Sequence, residues 1–430
     1  MINPRRIYTW LLWLLLPYVC FHLLWRGRKQ PEYLRHIGER FGFYAPRTDR
    51  PVIWLHTVSV GETRAAVALV QGLLKAYPNH QLLLTHTTPT GRATSEQLFG
   101  DDVLRVYLPY DYPGAVRRFL RHFQPQVGVL LETEIWFNLI HLCRTRMIPL
   151  LLLNARLSEK SAARYARFPA LTRQGLRGLA VIAAQTEADA QRLQMLGGEN
   201  ISLMGNLKFD IEPPTAMLEL GKHLRNTFGS TRKVFLAAST REGEETLLLA
   251  ALKQAKIAGL LSVIVPRHPQ RFDAVAALIA QHGFRYQLRS EHTTIAADTE
   301  IVLGDSMGEM FAYYAGCDIA FIGGSLLPFG GQNLIEACAV GKPVLLGLHT
   351  YNFEQACQQA IQQGAAQRIT DAQTLVQTLQ GLFNKPALAQ DMGAAGLEFV
   401  RANQGATNRA TELISHQLDH SNTTQQAPLE

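Results

Sequence analysis

The sequence predicts an α/β protein of two doubly wound, Rossmann-like domains facing a cleft, preceded by a hydrophobic membrane-anchor helix. Three observations carry that expectation. Short, near-continuously apolar runs alternate with helix-period stretches, the pattern of a parallel sheet covered on both faces. The alternation pauses once, at Lys208–Thr215 (KFDIEPPT), where two prolines coincide with a change in charge. Near the N-terminus lies a 19-residue apolar run, Ile7–Trp25, interrupted only by Thr9, Pro17 and His22.

That run is just long enough to cross a bilayer. It lacks the small-x-small cleavage site of a removed signal peptide. Arg5 and Arg6 precede it, Arg26, Arg28 and Lys29 follow, and three Trp and two Tyr suit a membrane boundary. A signal anchor leaving the body in the cytosol is the expected placement; a helix lying in the interface or buried in the body are the alternatives. The expected division is 1–29 for the anchor and its basic flank, 30–212 and 213–418 for the two domains, and 419–430 for a disordered tail.

In the first domain the candidate strands are Val52–His56, Gln81–Thr85, Val127–Leu131, Pro149–Leu153 and Leu179–Ala183. Helical stretches lie at Glu62–Ala76, Pro113–Phe123 and Ile135–Arg144. In the second domain the strands are Val234–Ala238, Ser262–Val265, Glu300–Leu303, Asp318–Ile322 and Pro343–Leu346, with helices near Glu244–Lys256, Arg271–His282, Gly308–Tyr314 and Leu334–Val340. Two such domains predict a ligand cleft at the carboxyl ends of the strands.

At 430 residues, 47% hydrophobic and 18% charged, the chain is neither a coiled coil nor a disordered protein. Its five cysteines are odd in number and have no C-x-x-C spacing, which indicates free thiols in a reducing compartment. Residues 1–212 carry a formal charge of +10 and residues 213–430 carry −3, so the first half should meet something anionic. Nucleic acid is not the expected partner, because no DNA- or RNA-binding motif accompanies the charge. There is no phosphate-binding G-x-x-x-x-G-K-[ST], no G-x-G-x-x-G and no D-x-D. His268, His282 and His292 lack a metal-ligand spacing, and no metal site is expected.

The richest segment is Gly323–Glu336, GGSLLPFGGQNLIE, which follows a strand and opens a helix near Asn333. Glycines let a backbone approach an anion, and helix-start N–H groups favour a phosphate. Glu336 in that first turn suits sugar hydroxyls, although an acid complementing the helix dipole reads the same way. The loops Val265–Pro269 (VPRHP) and Gly304–Glu309 (GDSMGE) follow neighbouring strands, and their convergence on one sheet edge favours a nucleotide site. In the first domain Glu62 lies where the first strand meets its helix. It could accept a proton from a hydroxyl, with Gly61 allowing close approach, or simply complement the helix dipole. Glu132 and Glu134 end another strand of the same layer. Lys208 stands at the domain boundary, and Arg156, Lys160, Arg164 and Arg167 form a basic stripe suited to phosphates or to solvent.

Taken in order, SVGE (Ser59–Glu62), TPTG (Thr88–Gly91), YLPYD (Tyr107–Asp111), LETEIW (Leu131–Trp136), NARLS (Asn154–Ser158), LKFD (Leu207–Asp210), PRHP (Pro266–Pro269), GDSMGE and GGSL…GGQN…E resemble the lipid A Kdo (3-deoxy-D-manno-octulosonic acid) transferases of Gram-negative bacteria. The resemblance covers nearly the whole chain. It implies a GT-B glycosyltransferase architecture, and metal-independent, inverting transfer of Kdo from CMP-Kdo to a lipid A precursor (lipid IVA) at the cytoplasmic face of the inner membrane. No cofactor is implied beyond the donor. The implied partners are the lipid acceptor, CMP-Kdo and the anionic membrane surface. The family's general base falls on Glu62, its transition-state-stabilising acid on Glu132 and its lysine on Lys208. The CMP contacts fall on Pro266 and Arg267, on Met307, Gly308 and Glu309, and on Asn333, Leu334, Ile335 and Glu336. The sequence departs from the family at Phe137, Leu334 and Ala337, where proline is frequent.

Overall fold

The computed structural model describes residues 3–45, 48–255 and 257–426. It divides into two compact units: one formed by 1–210 with 404–430, the other by 211–403.

The first unit carries seven strands: β1 (Val52–His56), β2 (Gln81–His86), β3 (Leu104–Tyr107), β4 (Pro125–Leu131), β5 (Leu150–Ala155), β6 (Val181–Ala184) and β7 (Ile201–Leu203). They pair in the order β3-β2-β1-β4-β5-β6-β7, all parallel. The second unit repeats the design with β8 (Lys233–Thr240), β9 (Leu260–Pro266), β10 (Tyr286–Leu288), β11 (Ile301–Leu303), β12 (Ile319–Ile322), β13 (Val344–Leu346) and β14 (Ala366–Arg368). Their order is β10-β11-β9-β8-β12-β13-β14, again parallel throughout. Each sheet fills one side of its first strand before restarting on that strand's other side; in the second, β11 is inserted between β9 and the edge strand β10. The reversal lies between β1 and β4 in the first unit and between β8 and β12 in the second. Ligands of doubly wound sheets bind outside the carboxyl ends of the strands at such a point.

The alternation of side chains along β1, β2 and β4 divides the first core into two layers. Trp54, Leu83, Leu130 and Leu152 pack on one face; Ile53, Leu55, Leu82, Leu84, Val129 and Leu131 pack on the other. That second layer is closed by Ala406, Ala410, Ile414 and Leu418 of the C-terminal helix Ala406–Gln426. The expected extent of the second domain, 213–418, is corrected here: the chain returns to the first unit at Gln404. Asp210 fixes the return, accepting the backbone N–H groups of Gly405 (2.6 Å) and Thr407. The tail expected to be disordered from 419 is instead helical to Gln426, while 427–430 lie outside the described residues. The expected helix Glu62–Ala76 is two helices, Val60–Ala65 and Val67–Ala76, meeting at Ala66.

The N-terminal helix runs from Pro4 to Lys29 and is long and apolar enough to cross a membrane. Tyr8, Leu12, Leu16, Val19, Leu23 and Gly27, spaced three or four residues apart, are at least partly covered, so one stripe of the helix lies along the first unit. Polar contacts fix its N-terminal half. The Tyr8 hydroxyl donates to Asp111 (3.0 Å), Thr9 and Arg5 donate to the amide oxygen of Asn138 (2.9 and 3.0 Å), and Tyr112 donates to the Leu12 carbonyl (2.9 Å). The remaining surface is apolar and exposed, with Trp10 at 73%, Leu14 at 75% and Phe21 at 68%.

Candidate active site

At the reversal between β1 and β4, the turn after β1 carries Ser59-Val60-Gly61-Glu62. Ser59 caps the helix, its hydroxyl accepting the Glu62 N–H (3.3 Å), and the Glu62 side chain folds back over the turn. One carboxylate oxygen accepts the Val58 N–H (2.7 Å) and the other accepts the Ser59 hydroxyl (3.0 Å). Burial pushes Glu62 up from 4.5 to about 7; the Val58 N–H opposes the rise, and the Glu132 and Glu134 charges add to it. A Cβ added at Gly61 would meet only the Ser59 hydroxyl, at 3.8 Å, so the space above the turn is open. The TPTG segment braces this turn: the Thr88 hydroxyl donates to the Val58 carbonyl (3.0 Å) and caps the helix Pro89–Phe99 by accepting the Gly91 N–H (3.1 Å).

Across the reversal, Glu132 follows β4 with a left-handed backbone, φ 61°. It lies 3.5 Å from the Lys208 ammonium, and each side chain is about one-fifth exposed. Lys208 is placed by amide side chains outside the charged set. Asn154, also left-handed (φ 53°), accepts the Leu207 N–H (3.1 Å), and Asn206 accepts the Lys208 N–H (3.0 Å) while donating to Gln185 (3.1 Å). The side chain of Gln185 in turn donates to the Asn154 carbonyl (3.0 Å). Glu134 accepts the Trp136 indole N–H (2.6 Å), and burial raises its proton affinity. Asp111 of YLPYD is fully buried and accepts the N–H groups of Asn138 and Leu139 (2.9 and 2.8 Å), tying LETEIW to the N-terminal helix through Tyr8. Of the basic stripe, Lys160, Arg164 and Arg167 are solvent-exposed and Arg156 is half-buried.

In the second unit the glycine-rich loop after β12 passes close to the end of β8. A Cβ at Gly323 would lie 2.4 Å from the Ser239 carbonyl oxygen, and Gly324 has φ 72°. Sequence reasoning missed the residue that shapes this loop. Glu244, fully buried, accepts the N–H groups of Gly324 (2.6 Å) and Arg241 (2.8 Å) on one oxygen and of Leu326 (2.9 Å) on the other. Those loop N–H groups therefore hold a protein carboxylate rather than standing open for a phosphate. The residue pair in REGEE carried the signal, since a glutamate in a predicted helix start next to a glycine-rich loop is a candidate anion for it. The helix begins at Ile335, whose N–H is capped by the Asn333 side chain (3.0 Å).

Basic groups gather at the carboxyl ends of β8 and β9. Arg267 donates to the Gln332 side chain (3.1 Å), joining PRHP to GGQN. His268 is held below its ordinary proton affinity by burial and by Arg241, Arg267 and Arg271. Arg271 forms a two-point ion pair with buried Glu245 (2.6 and 2.9 Å). Pro266 ends β9. Met307 is 55% exposed and Gly308 has φ 83°. The Glu309 carboxylate accepts the Ser306 hydroxyl (2.7 Å) and pairs with Arg289 (3.3 Å). Glu336 accepts the Asn333 amide (3.2 Å), and Leu334 and Ile335 are buried. Among the described residues, no three His, Cys, Asp or Glu side chains converge on a point that would hold a metal ion.

Two doubly wound parallel units, each with its polar residues at the sheet reversal, define the GT-B class of glycosyltransferase fold. A solved glycosyltransferase from Rickettsia africae superimposes with a TM-score of 0.59 at 15% identity, covering 86% of this chain and 99% of that one. The family model described as 3-deoxy-D-manno-octulosonic-acid transferase (kdotransferase) matches residues 35–211. The 3-deoxy-D-manno-octulosonic acid transferase of Bordetella pertussis is 40% identical over 96% of this chain and 99% of its own length. That of Haemophilus influenzae is 36% identical over the same shares. The chain belongs to the 3-deoxy-D-manno-octulosonic acid transferase family.

Proposed function

We propose that this chain transfers Kdo from CMP-Kdo to a lipid A precursor, lipid IVA, with inversion and without a metal ion. The observation that carries the reading is Glu62: a carboxylate at the sheet reversal, aimed by two donors, whose proton affinity is pushed to about 7. A residue that only complemented a helix dipole would have its acidity increased rather than weakened. Glu62 takes the proton of the acceptor hydroxyl as that oxygen attacks the anomeric carbon. The carbon–oxygen bond to the phosphate breaks, and its electron pair leaves with CMP. General-base assistance of this kind is worth about 10²–10⁴-fold.

Lys208, held beside Glu132, balances the donor sugar's carboxylate. Pro266 and Arg267, Met307 to Glu309 and Asn333 to Glu336 hold the nucleotide. A monophosphate leaving group carries less charge than a diphosphate, and Arg267 with Arg241 offsets it. The exposed apolar face of the N-terminal helix lies in the cytoplasmic leaflet of the inner membrane, with its opposite stripe on the body, which fits an interfacial helix better than a crossing one.

Purified enzyme supplied with preformed CMP-Kdo and lipid IVA tests the reading. Mass spectrometry should show added Kdo, unchanged by saturating EDTA, and the new linkage should have the opposite anomeric configuration to the donor. Transfer from a UDP-sugar in place of CMP-Kdo, or loss of turnover restored by Mg²⁺, defeats it.

A further inference from the structure

Beside the N-terminal end of the first helix lies a cavity of about 170 Å³ lined by Arg5, Arg6, Trp10, Arg117 and His141. A smaller hollow of about 40 Å³ shares Arg5 and His141 and adds Arg144. Among the described residues, no carboxylate lines either one. The neighbouring acid, Asp111, is fully buried, and its oxygens already accept two backbone N–H groups and the Tyr8 hydroxyl. The guanidinium groups of Arg6, Arg117 and Arg144 have no carboxylate or hydrogen-bond partner among the described residues. The Nε of Arg5 is buried without an acceptor, although its Nη1 reaches Asn138. Arg5 and His141 are partly covered, while Arg6, Arg117 and Arg144 stand exposed around them; like charges so gathered repel one another, and a bound anion removes that cost. The repulsion reaches Arg5, whose hold on its proton is weakened by burial and then by Arg6 and Arg117, more than the buried Asp111 charge restores it.

We propose that this basic hollow is a binding site for the phosphate of an anionic glycerophospholipid headgroup. It serves to seat the enzyme on the bilayer, apart from the residues assigned to sugar transfer. The volume selects a headgroup phosphate over a whole nucleotide sugar, since sites for drug-sized ligands run to roughly 300–1,000 Å³. The lining selects a lipid over a free anion: Trp10 is 73% exposed at its edge and continues into the bare apolar face of the helix, where acyl chains can lie. Arginine forks match phosphate oxygens in two-point geometry.

The inference rests on the membrane reading of the helix, and vesicle flotation of the full chain separates the two. Vesicles of phosphatidylcholine alone, of phosphatidylcholine with phosphatidylglycerol, and the mixture with added inorganic phosphate are compared. The wild type should bind the phosphatidylglycerol mixture most tightly, and millimolar-range phosphate at constant ionic strength should not displace it. Replacing both Arg117 and Arg144 by Gln should weaken that binding by about 25-fold, at about fivefold per charge. The Arg117→Lys, Arg144→Lys pair keeps the charge, and with it that per-charge attraction, but loses the fork; it should bind more weakly than the wild type and more tightly than the Gln pair. Arg121→Gln, exposed like Arg117 on the same helix but outside the hollow, should change binding less than Arg117→Gln. A lysine pair that binds like wild type, or equal losses for Arg121 and Arg117, overturns the site in favour of diffuse charge. Displacement by inorganic phosphate overturns the lipid assignment. Absence of binding to every vesicle overturns the membrane reading as well.

Discussion

Glu62→Gln separates catalysis from structure because the two roles move in opposite directions. The amide oxygen still accepts the Val58 N–H, and the amide N–H₂ can donate to the Ser59 hydroxyl, so the turn is retained. The variant cannot take a proton, and kcat should fall by about 10²-fold or more. Stability should rise. In the folded state Glu62 binds its proton up to about pH 7, against 4.5 for the exposed side chain. A raised carboxyl value means the ionised form is disfavoured on folding. The cost is absent below pH 4.5, grows as pH climbs to 7, and is constant above it. At about 1.36 kcal/mol per unit its ceiling is about 3 kcal/mol, reduced because the side chain is partly exposed. Glu62→Gln should therefore be more stable than wild type by about 1–3 kcal/mol at pH 8 and nearly equal to it at pH 4. Denaturant unfolding at the two pH values and kcat with preformed CMP-Kdo supply both readouts. The wild-type rate should also rise with pH through about 7 and then level, a limb missing from the variant's residual rate. Near-normal kcat in Glu62→Gln refutes the base assignment and moves it to Glu132. An unchanged stability difference between pH 4 and pH 8 refutes the raised proton affinity.

Glu244→Gln places an N–H₂ against backbone N–H donors of the glycine-rich loop. It should lower stability by about 1–3 kcal/mol and weaken CMP binding, measured by urea unfolding and by CMP titration. Glu336→Gln should weaken CMP binding before it affects kcat, because its proposed partner is the nucleotide; an unchanged CMP affinity with reduced kcat would reverse that assignment. Tyr8→Phe removes one donor from buried Asp111 and should cost about 1 kcal/mol in unfolding free energy. Deleting residues 1–25 leaves both sheets intact yet uncovers the packed stripe, so the remaining fold should be less stable than the full chain by more than Tyr8→Phe.

The central strands were legible in the sequence because burial on both faces makes them continuous apolar runs. Val52–His56 was expected as it stands, and Gln81–His86 differs by one residue. The four strands that escaped, β3, β7, β10 and β14, are the four sheet edges. Each has three or four residues and is at most half buried, so no apolar run marks it. The C-terminal helix failed for a different reason. Ala406, Ala410, Ile414 and Leu418 recur at helical spacing and announce a buried stripe, but periodicity carries no information about which core the stripe enters. The charged candidates were legible because they cluster where strands end. The amides that aim Lys208, and the Glu244 carboxylate inside the glycine-rich loop, act through backbone N–H groups that no residue pattern displays.

Two glutamates, half-buried Glu62 and fully buried Glu244, one at each sheet reversal, show how the same side chain comes to different work. Glu244 accepts backbone N–H groups on both oxygens, from Arg241 and Gly324 on one and Leu326 on the other, and is sealed from solvent. Its charge is used up in fixing a loop, and proton exchange would release that loop. Glu62 accepts one backbone N–H and one hydroxyl, lies beside an open turn at Gly61, and feels the charges of Glu132 and Glu134. It is held firmly enough to be aimed, yet retains unshared lone pairs and a proton affinity near neutrality. Unused acceptor capacity at an accessible edge, rather than burial alone, distinguishes a group that can move a proton from one that positions the chain.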